Sequence, residues 1–230
     1  KEVNSKISSP HTIDDLLCLL KDAEKQLIDT HPSIDSVPYN GLNESYMERI
    51  YINSEGASRH MKLTQSSIYL YAKAEENNKK PRSAGCVKVN SDIKNLDINS
   101  CIKETSDKLV SHLNYKPIET NKYLVCFSPE AFLQLISAFS SMFNARSIID
   151  GLSLMNESSI GNQISVPTLN ISDEGLHPQN VGSFSFDGEG TPTQNIKLVS
   201  DGKLINLLHS EATARKFGVK PTGHAGLGAK

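Results

Sequence analysis

The sequence predicts an α+β fold, with a mixed sheet-and-helix N-terminal half followed by a strand-helix-hairpin C-terminal half. Three observations lead to this prediction. Apolar residues recur at helical three- and four-residue steps in residues 13–28 and 98–113, and strand-like runs lie between these two segments. Near the C-terminus, Asp201-Gly202 separates two apolar runs and forms a typical two-residue hairpin turn. Helices and strands grouped in this order favour an α+β architecture.

The first half begins with an amphipathic helix. Thr12 is placed as its N-cap, and Asp14 and Asp15 fall in the first turn, where the helix dipole favours acids. Pro32 and Pro38 end the helical pattern. The helix is therefore predicted to stop before a sheet begins.

Short strands follow this first helix. The runs 48–53, 59–64 and 66–74 are predicted to form an antiparallel meander, and a further strand is predicted around 86–89. A second amphipathic helix comes next, with one apolar face. That face consists of Ile98, Ile102, Thr105, Leu109 and Leu113.

The second half starts with a continuous apolar strand at 123–127. Ser128-Pro129-Glu130 then marks the start of a helix that runs to about residue 143. Its apolar stripe is predicted to lie in the core, with a partner-binding face as the alternative. A hairpin is predicted from 196–200 and 203–207. A short last helix, 211–217, is expected to begin after Ser210 and to end at Gly218.

These patterns divide the chain into three parts. Residues 1–11 are predicted to be a disordered lead-in, 12–117 an α+β domain, and 118–230 the start of a truncated, β-rich C-terminal domain. The sequence lacks an initiator Met and stops in a glycine-rich segment. We therefore expect an internal part of a longer two-domain protein.

Composition excludes several classes of function. The 230 residues include 24 Lys and Arg and 26 Asp and Glu. The chain therefore lacks the excess of basic residues that is typical of nucleic-acid-binding proteins, and no nucleic-acid partner is predicted. The four cysteines form no C-x-x-C pair, which indicates reduced thiols and a cytoplasmic protein. No apolar run is long enough to predict a membrane span, so no membrane partner is expected.

Local catalytic motifs are missing. The seven histidines are at least 15 residues apart, so no H-E-x-x-H pair can hold zinc on one helix. Neither a G-x-S-x-G nucleophile elbow nor a G-x-x-x-x-G-K-[ST] phosphate loop occurs. We therefore predict neither catalytic residues nor a metal site in this chain.

Residues 185–194 form the segment richest in signals, because acids alternate with glycines in Asp187-Gly188-Glu189-Gly190. A tight turn, whose acids accept backbone N–H groups, is one interpretation. A substrate-facing or interface loop is another. A calcium loop is disfavoured because the segment lacks a third oxygen ligand before its glycine and a closing bidentate acid.

The second half also resembles a known family. The motifs that carry the resemblance are Phe186-Asp187-Gly188-Glu189-Gly190-Thr191-Pro192-Thr193-Gln194, the run 205–208, Thr213-Ala214-Arg215-Lys216-Phe217-Gly218 and Pro221-Thr222-Gly223-His224-Ala225-Gly226. In this order they resemble the TldD/PmbA family, also called modulators of DNA gyrase. About forty residues of this chain match the family closely. Proteins of the family are roughly twice as long as this chain.

The resemblance implies a cytoplasmic metallopeptidase made of two related subunits, which degrades or matures unfolded peptides. Only TldD-like members carry zinc, through H-E-x-x-x-H on the helix after the strand that corresponds to residues 123–127. The corresponding helix here, 129–143, contains no His. Together with Gly223-His224-Ala225-Gly226, this indicates a zinc-free PmbA/TldE-like subunit. We expect it to form a dimer with a zinc-bearing TldD-like subunit or with itself.

On this interpretation the chain itself holds no cofactor. Its candidate substrate or interface loop consists of Asp187, Glu189, Gly190, Thr191, Gln194, Gly223 and His224. Two alternatives remain open. One is a non-enzymatic adaptor that regulates a protein such as gyrase or an antitoxin, and the other is an independent hydrolase assembled from dispersed groups such as His224 and Asp187.

Overall fold

The computed structural model describes residues 11–177 and 180–226. The predicted disordered lead-in therefore lies outside the described residues, except for His11, whose backbone N–H donates to the Glu44 carboxylate. The glycine-rich end of the chain also lies outside them, from residue 227 onwards. No helix of the described parts has the length and apolar character needed to cross a membrane.

The structure confirms a mixed α+β fold, with two antiparallel three-stranded sheets. The elements are helix α1 (Ile13–Asp29), strands β1 (Ile34–Ile52), β2 (Ser58–Ala74) and β3 (Arg82–Asn90), helices α2 (Ile98–His112), α3 (Pro129–Ala138) and α4 (Ala145–Ile149), strands β4 (Ile171–Glu174), β5 (Asn195–Ser200) and β6 (Lys203–Leu204), and helix α5 (Glu211–Phe217).

The first sheet has the order β1-β2-β3, and α1 and α2 pack on one of its faces. Alternate residues of β2 point to that face, so Ile68, Leu70 and Ala72 are buried there. Leu27 of α1 and Leu109 of α2 are fully buried in the same cluster. The predicted helices are confirmed, and Thr12 forms a capping box with Asp15.

The strands of this sheet are longer than the sequence pattern predicts. The runs 59–64 and 66–74 are one strand, β2, and β1 extends from Ile34 through Pro38 to Ile52. Proline is tolerated there because β1 pairs with β2 alone, so it is an edge strand among the described residues. The two strands make a hairpin that reaches well past the helices.

The β1–β2 hairpin buries its other face near the tip. Met61 lies an odd number of residues from Ile68 on β2, so its side chain points to the opposite face of the sheet, yet it is fully buried. Its cross-strand partner is Arg49. The Arg49 guanidinium carbon lies 5.3 Å from the centre of the Phe184 ring, in the second half of the chain. One strand pair therefore packs on the helices at its base and on the second half at its tip.

The second sheet has the order β4-β5-β6 and encloses a smaller core around Val199, Leu204 and Phe143. The predicted turn is confirmed, with φ of 49° at Asp201 and 75° at Gly202. Helix α5 is also confirmed. A Ser210 capping box opens it, and Gly218 ends it in the left-handed conformation.

Two predictions for residues 123–139 are wrong. Residues 123–127 form no strand, because no other strand of the described residues pairs with them, and Leu124 is completely exposed. Helix α3 exists, yet none of its residues is buried, and Leu133 is 66% exposed. The predicted helix ends at Ala138 instead of about residue 143, and a short 3-10 turn, Ser140–Phe143, follows it. The core prediction holds only for the end of the stripe, where Phe143 is buried and Met142 packs against the second core.

Candidate functional site

A cleft with a volume of about 370 Å³ lies where the hairpin tip meets the second half. This size is within the range of about 300–1,000 Å³ that is usual for ligand sites. The residues that line it are Arg49, Asp173, Gly175, Gly182, Phe184, Phe186, Asp187, Gly188, Thr193, Leu208, Gly223, His224, Ala225 and Gly226. Three of the seven predicted site residues, Asp187, Gly223 and His224, are therefore together in one cleft.

Asp187 organises the loop that contains it. Its Oδ1 accepts the backbone N–H groups of Glu189 at 2.9 Å and Thr191 at 3.0 Å. Its Oδ2 accepts the N–H of Ala225 at 2.9 Å, which ties the loop to the segment after Gly223. The residue as a whole is 7% exposed. These hydrogen bonds are the ones expected if the segment is a tight turn whose acid accepts backbone N–H groups. They involve both oxygens of the Asp187 carboxylate.

Glu189 and Gln194 point away from the cleft lining. The Glu189 carboxylate accepts the N–H of Glu211 at 2.9 Å, at the start of α5. Gln194 donates its side-chain amide to the carbonyl of Pro221 at 2.9 Å. Both residues thus hold the loop against neighbouring segments.

Gly190 is the point where the hairpin touches this loop. Its φ is +79°, and a Cβ built there would lie 2.3 Å from the ring of Tyr51 on β1. A side chain at position 190 would therefore be strained and would also collide with the tyrosine. Gly190 therefore belongs to a contact within this chain, between its two halves. Thr191 bonds within the loop, where it donates its N–H to Asp187 Oδ1 and accepts the Asp187 N–H.

His224 links the cleft to a buried hydroxyl. Its Nε2 is 3.0 Å from Asp173 Oδ1, and its Nδ1 is 3.0 Å from Thr222 Oγ1. The Thr222 hydroxyl already accepts the backbone N–H of His209 at 2.7 Å and is buried. The arrangement fixes the imidazole ring, but it does not present Thr222 as a free nucleophile.

Asp173, Arg49 and Phe184 are site residues that sequence reasoning missed. Asp173 lies on β4, a four-residue strand whose sequence has no clear period, and it is 51 positions from His224. Arg49 lies on a strand assigned to the other half of the chain. Only the fold brings these residues together, so no local signal could have identified them.

The hydrogen bond from His224 is the main reason that the pKa of Asp173 is lowered from its ordinary value of 3.8, and burial opposes this effect. A lowered folded-state pKa stabilises the fold above the unfolded pKa, and this contribution is lost as the pH falls through the folded value. We expect Asp173→Asn to reduce the urea midpoint at pH 7, with a gap to wild type that closes as the pH falls below the ordinary pKa of 3.8 and through the lowered folded-state value.

Glu174→Gln, at the exposed next position of β4, serves as the control for Asp173→Asn. It removes a carboxylate without removing the bond to His224. A gap for Asp173→Asn that did not narrow at any acidic pH at which both proteins still fold would contradict the role of the ionised carboxylate.

The described residues do not fit a zinc ion. In residues 11–177 and 180–226, no three His, Cys, Asp or Glu side chains come together as ligands. His209 and His224 stand apart from the free cysteines, and Cys86 and Cys101 are buried in the first half. Burial is the main cause that raises the pKa of Cys101 to about 12, so its thiol is not a ready ligand.

The two halves of the chain match two domains, central and C-terminal, of one metallopeptidase family. The family model of the PmbA/TldA metallopeptidase central domain matches residues 6–113, and that of the C-terminal domain matches residues 120–230. The chain therefore belongs to the PmbA/TldD family.

Curated relatives and solved structures agree with this assignment. The metalloprotease PmbA of Escherichia coli O157:H7 is 26% identical over 217 residues, which are 93% of this chain and 47% of that protein. A Thermotoga maritima structure, described as a candidate modulator of a DNA gyrase, matches with a TM-score of 0.88 and 26% identity over 95% of this chain and 50% of that one. The chain thus spans about half the length of these relatives.

TldE from Thermococcus kodakarensis shares the fold, with a TM-score of 0.75 and 16% identity over 97% of this chain and 52% of that one.

Proposed function

We propose that this chain is part of a PmbA/TldE-like subunit that acts with a zinc-bearing TldD-like subunit on unfolded peptides in the cytoplasm. The observation that carries the proposal is helix α3, which follows an extended apolar segment as the zinc-bearing helix does in TldD-like proteins. Its sequence from Pro129 to Ala138 contains neither His nor Cys. The subunit would therefore contribute substrate contacts, and its partner would contribute the metal.

The contacts of the predicted loop support this division of roles. Both oxygens of Asp187 accept backbone N–H groups, so its carboxylate is not free to act as a general base. Glu189 accepts the N–H of Glu211 and does not line the cleft. Gly190 is covered by Tyr51 of the same chain. What faces the cleft is Asp173 with His224 on one side and Arg49 on the other, which suits the binding of a ligand.

The test uses the full-length protein, alone and mixed in equal amounts with a zinc-loaded TldD-like relative from the same genome. We expect no cleavage of an unstructured peptide by this protein alone, cleavage by the mixture, and loss of that cleavage with a chelator. The relative alone is the control. Chelator-sensitive cleavage by this protein alone, or a mixture no faster than the relative alone, would contradict the proposal.

A second candidate rests on the description of the Thermotoga maritima relative as a modulator of a DNA gyrase. On this hypothesis the protein is a non-enzymatic adaptor. It predicts that the full-length protein binds purified gyrase and changes its supercoiling rate, while peptide cleavage by the mixture stays at the level of the relative alone. The two candidates therefore give opposite results in the peptide assay.

A further inference from the structure

We propose that the cleft at the hairpin tip holds the main chain of an extended peptide, between Arg49 on the hairpin side and Asp173 with His224 on the other. This inference rests on the proposed function, which makes an unfolded peptide the ligand. It adds the site and the part of the peptide that is recognised.

Arg49 is a cation that pairs with no carboxylate of the described residues. Its guanidinium stacks on Phe184 at 5.3 Å, and within residues 11–177 and 180–226 it forms no ion pair. A guanidinium that stacks on a ring keeps its N–H donors in the plane of the group, where they can meet carbonyl oxygens. This cation–π contact favours a position of the side chain at the cleft before any ligand arrives.

Asp173 supplies the complementary acceptor. Its side chain is 37% exposed and lines the cleft, and the bond to His224 holds it in place. The other carboxylate of the cleft, Asp187, has both oxygens occupied by backbone N–H groups. The cleft thus presents one fixed donor group and one fixed acceptor group, from opposite halves of the chain.

This donor and acceptor pair is complementary to the backbone of a peptide ligand, and less so to any single side chain of that ligand. Each peptide unit offers one carbonyl acceptor and one N–H donor. Arg49 and Asp173 carry opposite charges, so together they favour the binding of neither acidic nor basic peptides. Recognition of this kind tolerates many sequences, as the handling of unfolded peptides requires.

Strand β1 provides a path into the cleft. Arg49 belongs to β1, and in the described parts of the chain β1 pairs with no strand other than β2. The outer edge of a 19-residue strand therefore leads to the site. An extended peptide can add to such an edge through main-chain hydrogen bonds, which do not depend on side-chain identity.

The test measures binding by fluorescence anisotropy, with the full-length protein and a labelled, acetylated and amidated peptide of glycine, serine and alanine. We expect Arg49→Ala to weaken binding about tenfold or more, because it removes charge-assisted hydrogen bonds. Arg49→Lys keeps the charge without the planar donor group and should bind with intermediate affinity.

Arg82→Ala is the matched control, because the Arg82 guanidinium stacks on Tyr115 at 4.7 Å, outside the cleft. We expect it to bind like wild type, and circular dichroism checks that each variant is folded. If Arg49→Ala is unfolded, Arg49→Lys decides, and its wild-type affinity would overturn the inference. Equal affinities of wild type and a folded Arg49→Ala, or no binding by wild type, would also overturn it.

A second peptide with a free carboxylate separates main-chain from terminal recognition. We expect both peptides to bind equally, whereas binding of the free acid alone would overturn main-chain recognition. The cleavage assay of the mixture is independent of this result. Arg49-dependent binding without stimulated cleavage would refute the proposed function alone, and stimulated cleavage with Arg49-independent binding would refute the inference alone.

Discussion

Replacing Asp187 by Ala is expected to destabilise the second half of the chain by about 3–5 kcal/mol. The substitution leaves the N–H groups of Glu189, Thr191 and Ala225 without their acceptor. Each partly buried N–H that loses its partner costs roughly 1–3 kcal/mol, and the three costs do not add fully because the loop can relax. Urea unfolding of the full-length protein measures the effect as a lower midpoint.

Glu157→Ala is the control for this variant, because Glu157 is an exposed carboxylate in the same half and accepts no bond that holds two segments together. We expect its midpoint to lie within about 0.5 kcal/mol of wild type. Asp187→Asn keeps one carbonyl oxygen and should fall between wild type and Asp187→Ala. A wild-type midpoint for Asp187→Ala would mean that the carboxylate does not organise the loop.

The elements predicted correctly are those that short-range signals specify. Helix α1 follows from Thr12 and the acids behind it, α5 from Ser210 and Gly218, and the β5–β6 turn from Asp201-Gly202. In each case the residues that decide the structure lie within a few positions of one another. Local backbone energetics then suffices to predict the result.

The errors concern interactions between distant segments. Residues 123–127 have strand composition, but a strand also needs a neighbour, and no local pattern reveals whether one is available. The same holds for α3. Its apolar stripe indicates that a helix forms, but it does not indicate which part of the protein covers that helix. Met61 shows the reverse case, since its burial depends on the second half of the chain reaching the hairpin tip.

The candidate site divides in the same way. The motif Asp187 to Gln194 lies at the candidate cleft, which Asp187 lines together with Gly223 and His224 of a later segment. The motif is prominent largely because it builds a turn and joins three segments, and these are structural duties. The groups left to face a ligand, Arg49 and Asp173, come from other parts of the chain. The motif thus led to the candidate cleft but not to the two charged groups that face it.

Gly223→Ala is expected to be the most damaging of the glycine substitutions on the cleft wall, at about 3 kcal/mol or more. The φ of Gly223 is +75°, and a Cβ there would lie 2.4 Å from the Pro192 carbonyl oxygen and 2.6 Å from Thr193 Cα, which are backbone atoms. Gly218→Ala is a matched control, because Gly218 has a φ of +67° with nothing within 4 Å of the added Cβ. It should cost only about 1 kcal/mol, the strain of a left-handed residue. Equal losses in urea midpoint for the two variants would show that backbone strain, and not close packing of the loop on residues 192–193, makes glycine necessary at position 223.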